Sequence, residues 1–243
     1  MSIKGTIPLI PFRNNMKHII IGDLHGKDVW NQVRLDQYDK VIFVGDYVDH
    51  WTLPDRIIYQ NLQNIIELKR QKFEKVELLL GNHDVQYLHY PHYLCSGFRT
   101  TMQRSLSLLF AENRDLFKVA YQQENYIISH AGITNKWYKD FKDLRLIQQI
   151  ADEQDTVADL VNKAENTSQR WILHQAGSSR GGEGPGGITW ADRKELIADM
   201  LDGYHQIVGH TVIPKPEFVQ ETGKSSMFID VLDTTTYFHE IEI

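Results

Sequence analysis

The sequence predicts a mixed α/β fold, and three observations carry that expectation. Short apolar runs alternate along the chain with longer amphipathic ones. Five of the short runs end in Asp, His or Asn, often after a Gly that lets the backbone turn sharply. The 243 residues, 42% apolar and 24% charged, suffice for one large domain or two small ones with a real hydrophobic core, and no internal repeat divides them.

The elements follow in order. Residues 1–15 read as an extension: Ile7-Pro8-Leu9-Ile10-Pro11-Phe12 is too short and too proline-broken for a signal-peptide core. The main domain, 16–243, starts near Met16-Lys17. Residues 18–22 (His-Ile-Ile-Ile-Gly) read as a buried strand that leads into Asp23-Leu24-His25-Gly26. Residues 40–45 repeat the pattern and lead into Asp46-Tyr47-Val48-Asp49-His50. Residues 54–72 carry apolar positions 57, 58, 62, 65, 66 and 68 at helical spacing. A third run, 76–81, precedes Asn82-His83-Asp84. Residues 99–117 and 143–164 read as helices, expected to cap the space between the two ligand-bearing halves. The fourth run, 126–128, leads to Ser129-His130-Ala131-Gly132, and the fifth, 206–208, to Gly209-His210-Thr211.

In an open α/β sheet, ligands bind beyond the carboxyl ends of the strands. Five such ends converging would gather Asp23, His25, Asp46, Asn82, His130 and His210 in one cleft. These are oxygen and nitrogen donors with no thiolate, a set suited to Mn²⁺, which is the expected ion, or to iron or Zn²⁺, and poorer for Ca²⁺. Six donors exceed one tetrahedral site. With one carboxylate bridging, they suit two cations about 3.5–4 Å apart. Alone, each Gly-Asp or Gly-His is ordinary turn chemistry; the weight lies in five of them in one order.

That ordered set resembles the calcineurin-like metallophosphoesterase superfamily, and within it the phosphoprotein phosphatase branch of bacterial and phage serine/threonine phosphatases and symmetrical diadenosine tetraphosphatases. The family's GDxHG reads here Gly22-Asp23-Leu24-His25-Gly26, its GDxxDR reads Gly45-Asp46-Tyr47-Val48-Asp49-His50, and its GNHD reads Gly81-Asn82-His83-Asp84. The later histidine motifs match at His130 and His210. The resemblance implies two packed mixed β-sheets flanked by helices. It implies one cation on Asp23, His25 and Asp46, and a second on Asp46, Asn82, His130 and His210. His83 would be the general acid, oriented by Asp49, and the nucleophile a water or hydroxide bridging the two cations. The implied substrates are phosphomonoesters, in a phosphorylated protein or a small phosphate ester. Alternatives are dinucleoside polyphosphates, cyclic nucleotides or other diesters, or a non-catalytic phosphate-binding module.

The chain departs from the pattern at His50, where most relatives carry Arg, a fixed fork that clamps phosphate bidentately. Arg180, in the glycine-rich stretch 177–187, and Arg193, after Trp190, are candidates to replace that charge, and His50 itself stands beside the substrate. The glycine-rich stretch lacks the P-loop pattern and reads as a mobile access loop or a linker. His89 and His92 read as aromatic loop packing near the third motif.

Composition excludes other classes. A net charge of −6 gives no broad nucleic-acid-binding surface. No apolar run approaches the roughly 20 residues that cross a bilayer, so no membrane partner is expected. The single cysteine, Cys95, excludes an internal disulfide and multi-thiolate zinc sites, and favours a cytoplasmic setting.

Overall fold

The computed structural model describes residues 15–243, so the extension expected over 1–15 lies, Asn15 apart, outside the described residues. The first sheet has five strands in the order β10-β1-β2-β3-β4: β1 (Lys17–Ile21), β2 (Lys40–Phe43), β3 (Val76–Leu79), the short β4 (Phe117–Lys118) and the returning β10 (Phe238–Glu242). β10 is antiparallel to β1 and the other neighbours are parallel. The second sheet runs β5-β6-β7-β9-β8: β5 (Ala120–Gln123), β6 (Tyr126–Ser129), β7 (His205–Val208), β8 (Glu217–Glu221) and β9 (Lys224–Phe228). Here β6, β7 and β9 are parallel and the two edge strands antiparallel. Both sheets are therefore mixed.

The unbroken apolar runs have a physical reason. Strand side chains alternate between faces, and here both faces are covered. Ile20, Ile42 and Leu79 meet Ile128, Ile207 and Ile229 in the layer between the sheets. Ile19, Ile21, Val41, Phe43 and Leu78 turn outward, onto Ile58, Leu62, Ile65 and Ile66 of α1 (Asp55–Gln71). On the far side, Ile127 packs with Trp137 and Phe141 of α4 (Asn135–Lys142).

Two predicted helices are shorter than expected. α2 (Asn82–Leu88) is followed by α3 (Gln103–Glu112), where a helix over 99–117 was expected. Asn113 ends it: its side-chain amide donates to the Leu109 carbonyl at 2.7 Å, so it competes with the helical ladder. The 143–164 segment is two helices, α5 (Arg145–Ile150) and α6 (Val157–Glu165). Thr156 and Asp159 form a capping box that starts α6 afresh. These helices lie between the two ligand-bearing halves in sequence. In space they flank the sheets, α3 within the first sheet's outer core and α6 within the second's, instead of roofing the cleft. The last helix, α7 (Arg193–Ala198), places Leu196 against Val208 and Phe228. No described helix is long and apolar enough to cross a membrane.

Candidate active site

A cleft of about 540 Å³ opens at the carboxyl ends of the parallel strands, lined by His25, Asp46, Asn82, His83 and His210 among others. Asp23 and His130 sit beneath it, fully buried. The structure thus brings together all six residues expected as donors, with His83 and Asp49 beside them. It also adds a sixth strand end: β9 delivers Asp230 to the same cleft.

Tight backbone approaches set these positions. A Cβ on Gly81 would stand 2.1 Å from Asp46 Oδ1, and one on Gly209 would stand 1.9 Å from Asp23 Oδ1. The backbone N–H groups of Leu24 and His25 donate to the Asp46 carbonyl at 3.1 and 2.8 Å, which ties the first two motifs together. Asp84, for which no role was expected, locks the second to the third: its carboxylate accepts from the N–H groups of Asp46 (2.7 Å), Gly81 (2.9 Å) and Tyr47 (3.0 Å). His25, Asp46, Asp49 and His210 all hold left-handed backbone, with φ of 45°, 52°, 62° and 65°. Such geometry costs a non-glycine residue about 1 kcal/mol or more, and it clusters where function demands it.

Whether these residues fit cations follows from their hydrogen bonds. The Nδ1 of His130 lies 3.0 Å from the Val44 carbonyl, which can only accept, so His130 Nε2 is a bare lone pair. That lone pair faces other acceptors: Asn82 Oδ1 at 2.9 Å and Asp46 Oδ2 at 3.4 Å. His210 Nδ1 stands 2.9 Å from Asn82 Oδ1 and 3.2 Å from His130 Nε2. The amide orientation of Asn82 is set from behind, where its Nδ2 donates to Cys95 Sγ at 3.5 Å. Asp23 Oδ1 and His210 Nε2 are buried with no hydrogen-bond partner. His25 repeats the pattern, donating from Nδ1 to the Val48 carbonyl at 3.0 Å and leaving Nε2 3.8 Å from Asp46 Oδ2.

Lone pairs facing lone pairs in a dry site are unfavourable unless a cation sits among them. The spacing suits one. A cation about 2.1 Å from two ligands set at right angles holds them roughly 3.0 Å apart. Carbonyl oxygens that fix the far nitrogen of each imidazole are the usual outer support of metal-binding histidines. Titration behaviour agrees. Burial lowers the pKa of His130 and drives that of His210 well down, keeping both rings neutral and able to coordinate.

His83 stands on α2 with its N–H donating to Asp46 Oδ1 at 2.9 Å. Its Nδ1 is 3.0 Å from Asp49 Oδ2. Asp49 is buried and also accepts from Gln86 Nε2 and the Tyr87 hydroxyl. Burial alone would lower the pKa of His83, but the charge of Asp46 and the hydrogen bond to Asp49 overcome it and push it up to about 12 in the metal-free chain.

The three residues expected to meet substrate fare differently. Arg180 lines the cleft, held by Asp192 at 3.0 Å and by Thr211 Oγ1 at 3.1 Å, one residue from His210. Arg193 does not line the cleft. Its guanidinium forks onto Glu217, with Nε to Oε2 at 2.7 Å, and lies over the Phe228 ring, so the expectation for Arg193 is corrected to an ion pair joining α7 to β8. His50 lines the cleft, but its Nδ1 accepts from the N–H groups of Thr52 and Leu53 at 3.1 and 3.0 Å. Burial and then Lys27 lower its pKa, so it caps a turn as a neutral ring and supplies no cation.

Among the cleft and motif residues that escaped the sequence reading are Asp84, Asp230, Arg99 and Trp51. Arg99 holds the His50 carbonyl and Asp55, fixing the loop after the second motif. Trp51 stands at the mouth, 81% exposed. A basic residue after a glycine-containing turn and a tryptophan beside a ligand motif were the available signals. His89 packs against Tyr93 away from the cleft, and Cys95 is half-buried behind Asn82. The glycine-rich stretch is tied to α7: Glu195 accepts from the N–H groups of Gly186 at 3.1 Å and Ser179 at 3.3 Å.

Fold and site together define an α/β sandwich with a cation-ready cleft at its strand ends. The family model for the calcineurin-like phosphoesterase matches residues 16–214, and the chain belongs to that family. It is accordingly a metal-dependent hydrolase of phosphate esters. No curated protein matches it. Among solved structures it is similar to the cold-active protein-tyrosine phosphatase of a psychrophilic Shewanella species, at 16% identity and a TM-score of 0.52, covering 89% of this chain and 71% of that one. A 1.1 Å structure of a cold-active protein tyrosine phosphatase gives 13% identity and a TM-score of 0.53, covering 87% of this chain and 69% of that one. At these identities the likeness concerns the fold alone.

Proposed function

We propose that the chain hydrolyses phosphomonoesters with two divalent cations, Mn²⁺ first among them, in the manner of the phosphoprotein phosphatase branch and in the cytoplasm. The observation that carries this reading is the His130 lone pair facing Asn82 Oδ1 and Asp46 Oδ2, with His210 beside them, next to an imidazole hydrogen-bonded to a buried carboxylate. Asp23, His25 and Asp46 would hold one cation, and Asp46, Asn82, His130 and His210 the other. Bound there, two cations would lower the pKa of water in the cleft and offset charge on the phosphate.

The chain's own groups do the rest. Asp49 fixes His83 through Nδ1, and Nε2 would carry the proton to a leaving oxygen. A proton delivered there is worth about 10²–10⁴-fold. Once Asp46 is neutralised, the largest upward push on His83 is removed and its proton becomes transferable nearer neutral pH. Arg180, braced by Asp192, offers the cleft the fixed cation that His50 does not.

A second reading, hydrolysis of a nucleotide phosphoanhydride or diester, is favoured by Trp51, whose exposed indole at the cleft mouth offers a face on which a base can stack. The test is turnover by Mn²⁺-loaded protein of a phosphopeptide, diadenosine tetraphosphate and a 2′,3′-cyclic nucleotide, with Asp46→Asn as control. Preferred turnover of the phosphopeptide supports the first reading and preferred turnover of either nucleotide the second. No turnover of any, or full turnover by Asp46→Asn, contradicts both.

A further inference from the structure

Asp230 has no part in the two donor sets above, yet its position resembles theirs. A Cβ on Gly22 would stand 2.7 Å from the Ile229 carbonyl oxygen, so the ends of β1 and β9 abut. The next residues along the two strands are Asp23 and Asp230. The Ile229 N–H donates to the Val208 carbonyl at 2.8 Å, and the Asp230 carbonyl accepts from Ile213 N–H at 3.0 Å, so the backbone here is fixed. Asp230 is only 3% exposed and lines the cleft, and its carboxylate accepts no hydrogen bond from any described residue. Of the cations that act on it, Lys27 is engaged by Asp233 and His83 by Asp49.

A buried carboxylate without a donor or a partner is strongly unfavourable. The donor count is uneven as well: one set has Asp46, Asn82, His130 and His210, the other only Asp23, His25 and Asp46.

We infer that Asp230 is a further metal-facing carboxylate of the Asp23–His25–Asp46 site, an inference that rests on the two-cation reading. It makes that site richer in carboxylate oxygen than its neighbour, a chemistry that suits Mn²⁺ or Mg²⁺ over Zn²⁺. Calorimetric titration of metal-free protein with MnCl₂ tests it. Wild type shows two sites. Asp230→Asn weakens one of them by at least about tenfold and leaves the other alone. Asp233→Asn, which removes a carboxylate already engaged by Lys27, changes neither. The metal-free Asp230→Asn protein melts no lower than wild type, because no described protein group donates to the carboxylate it has lost. Two unchanged affinities in Asp230→Asn overturn the inference and leave the two-cation reading standing. A lower metal-free melting temperature, in step with the weaker binding, makes Asp230 a structural residue and overturns it too. A wild type that takes up no Mn²⁺ overturns the reading and the inference together.

Discussion

At the C-terminal end of α2, His89, Glu165 and His174 gather two imidazoles and a carboxylate, much as Asp23, Asp46 and His130 are gathered in the cleft. In each trio the ligating atoms lie within 4.8 Å of one another. Their hydrogen bonds differ. His89 Nε2 is 2.8 Å from Glu165 Oε1 and His174 Nε2 is 2.7 Å from Oε2. Arg114 meets the same carboxylate at 3.0 Å, Arg170 donates to His89 Nδ1 at 3.1 Å, and His174 Nδ1 lies 3.1 Å from Thr189 Oγ1. Donors meet acceptors throughout, and the buried charge already has its cation. In the cleft, the His130 Nε2 lone pair meets the acceptors Asn82 Oδ1 and Asp46 Oδ2, and two buried polar atoms, Asp23 Oδ1 and His210 Nε2, have no partner. Similar residue types thus make a structural brace in one place and a cation site in the other. The inventory alone does not distinguish them; the direction of each N–H does.

The contrast can be broken or sharpened by substitution. His83→Ala should lower kcat by about 10²–10⁴-fold without changing metal content if, as proposed, His83 handles a proton and holds no cation. Equal loss of bound metal would move His83 into the metal shell. Glu165→Gln should leave metal content and kcat near wild type and cost about 3 kcal/mol of stability, measured by urea unfolding, since it removes one member of a buried charged network. Its pH dependence has a definite sign. Burial would raise the Glu165 carboxyl, but His174 and then His89 hold it well below its ordinary 4.5. A depressed folded-state pKa contributes stability that is present above pH 4.5 and lost as the pH falls below it. The melting temperature of wild type should therefore fall faster than that of Glu165→Gln on acidification below that value. Parallel curves would contradict the ionised brace.

Effects at the substrate side are smaller. Arg180→Ala should lower kcat/KM for a phosphomonoester by at least about tenfold, the scale of a charge-assisted contact. Arg193→Ala should leave kcat/KM within about twofold, because its guanidinium is turned to Glu217. Reversed magnitudes would exchange the two roles.

How far the site was legible follows from what each residue needed. Asp23, Asp46, Asn82, His130 and His210 each follow a strand whose last residues include two or more adjacent apolar ones, so a switch from apolar to polar marked them. Asp230 follows Lys224-Ser-Ser-Met-Phe228, whose two serines are buried without making the run apolar, and the sixth strand end was therefore hidden. The pairing of Arg193 with Glu217 spans 24 residues and two elements, beyond any local pattern. The break between α5 and α6 was visible in principle, since Thr156-x-x-Asp159 is a cap signal inside an apolar periodicity. Which of the two histidine–carboxylate trios takes a cation was legible only through motif order, because hydrogen-bond direction is a property of the folded chain.

The central claim is that cations belong to the cleft and not to the brace. Counting Mn²⁺ per chain by elemental analysis after equilibration tests it most directly. The expected result is about two in wild type and in Glu165→Gln, with a clear loss in Asp46→Asn, the one ligand both cations would share. Two ions retained in Asp46→Asn, or a loss in Glu165→Gln, would contradict it.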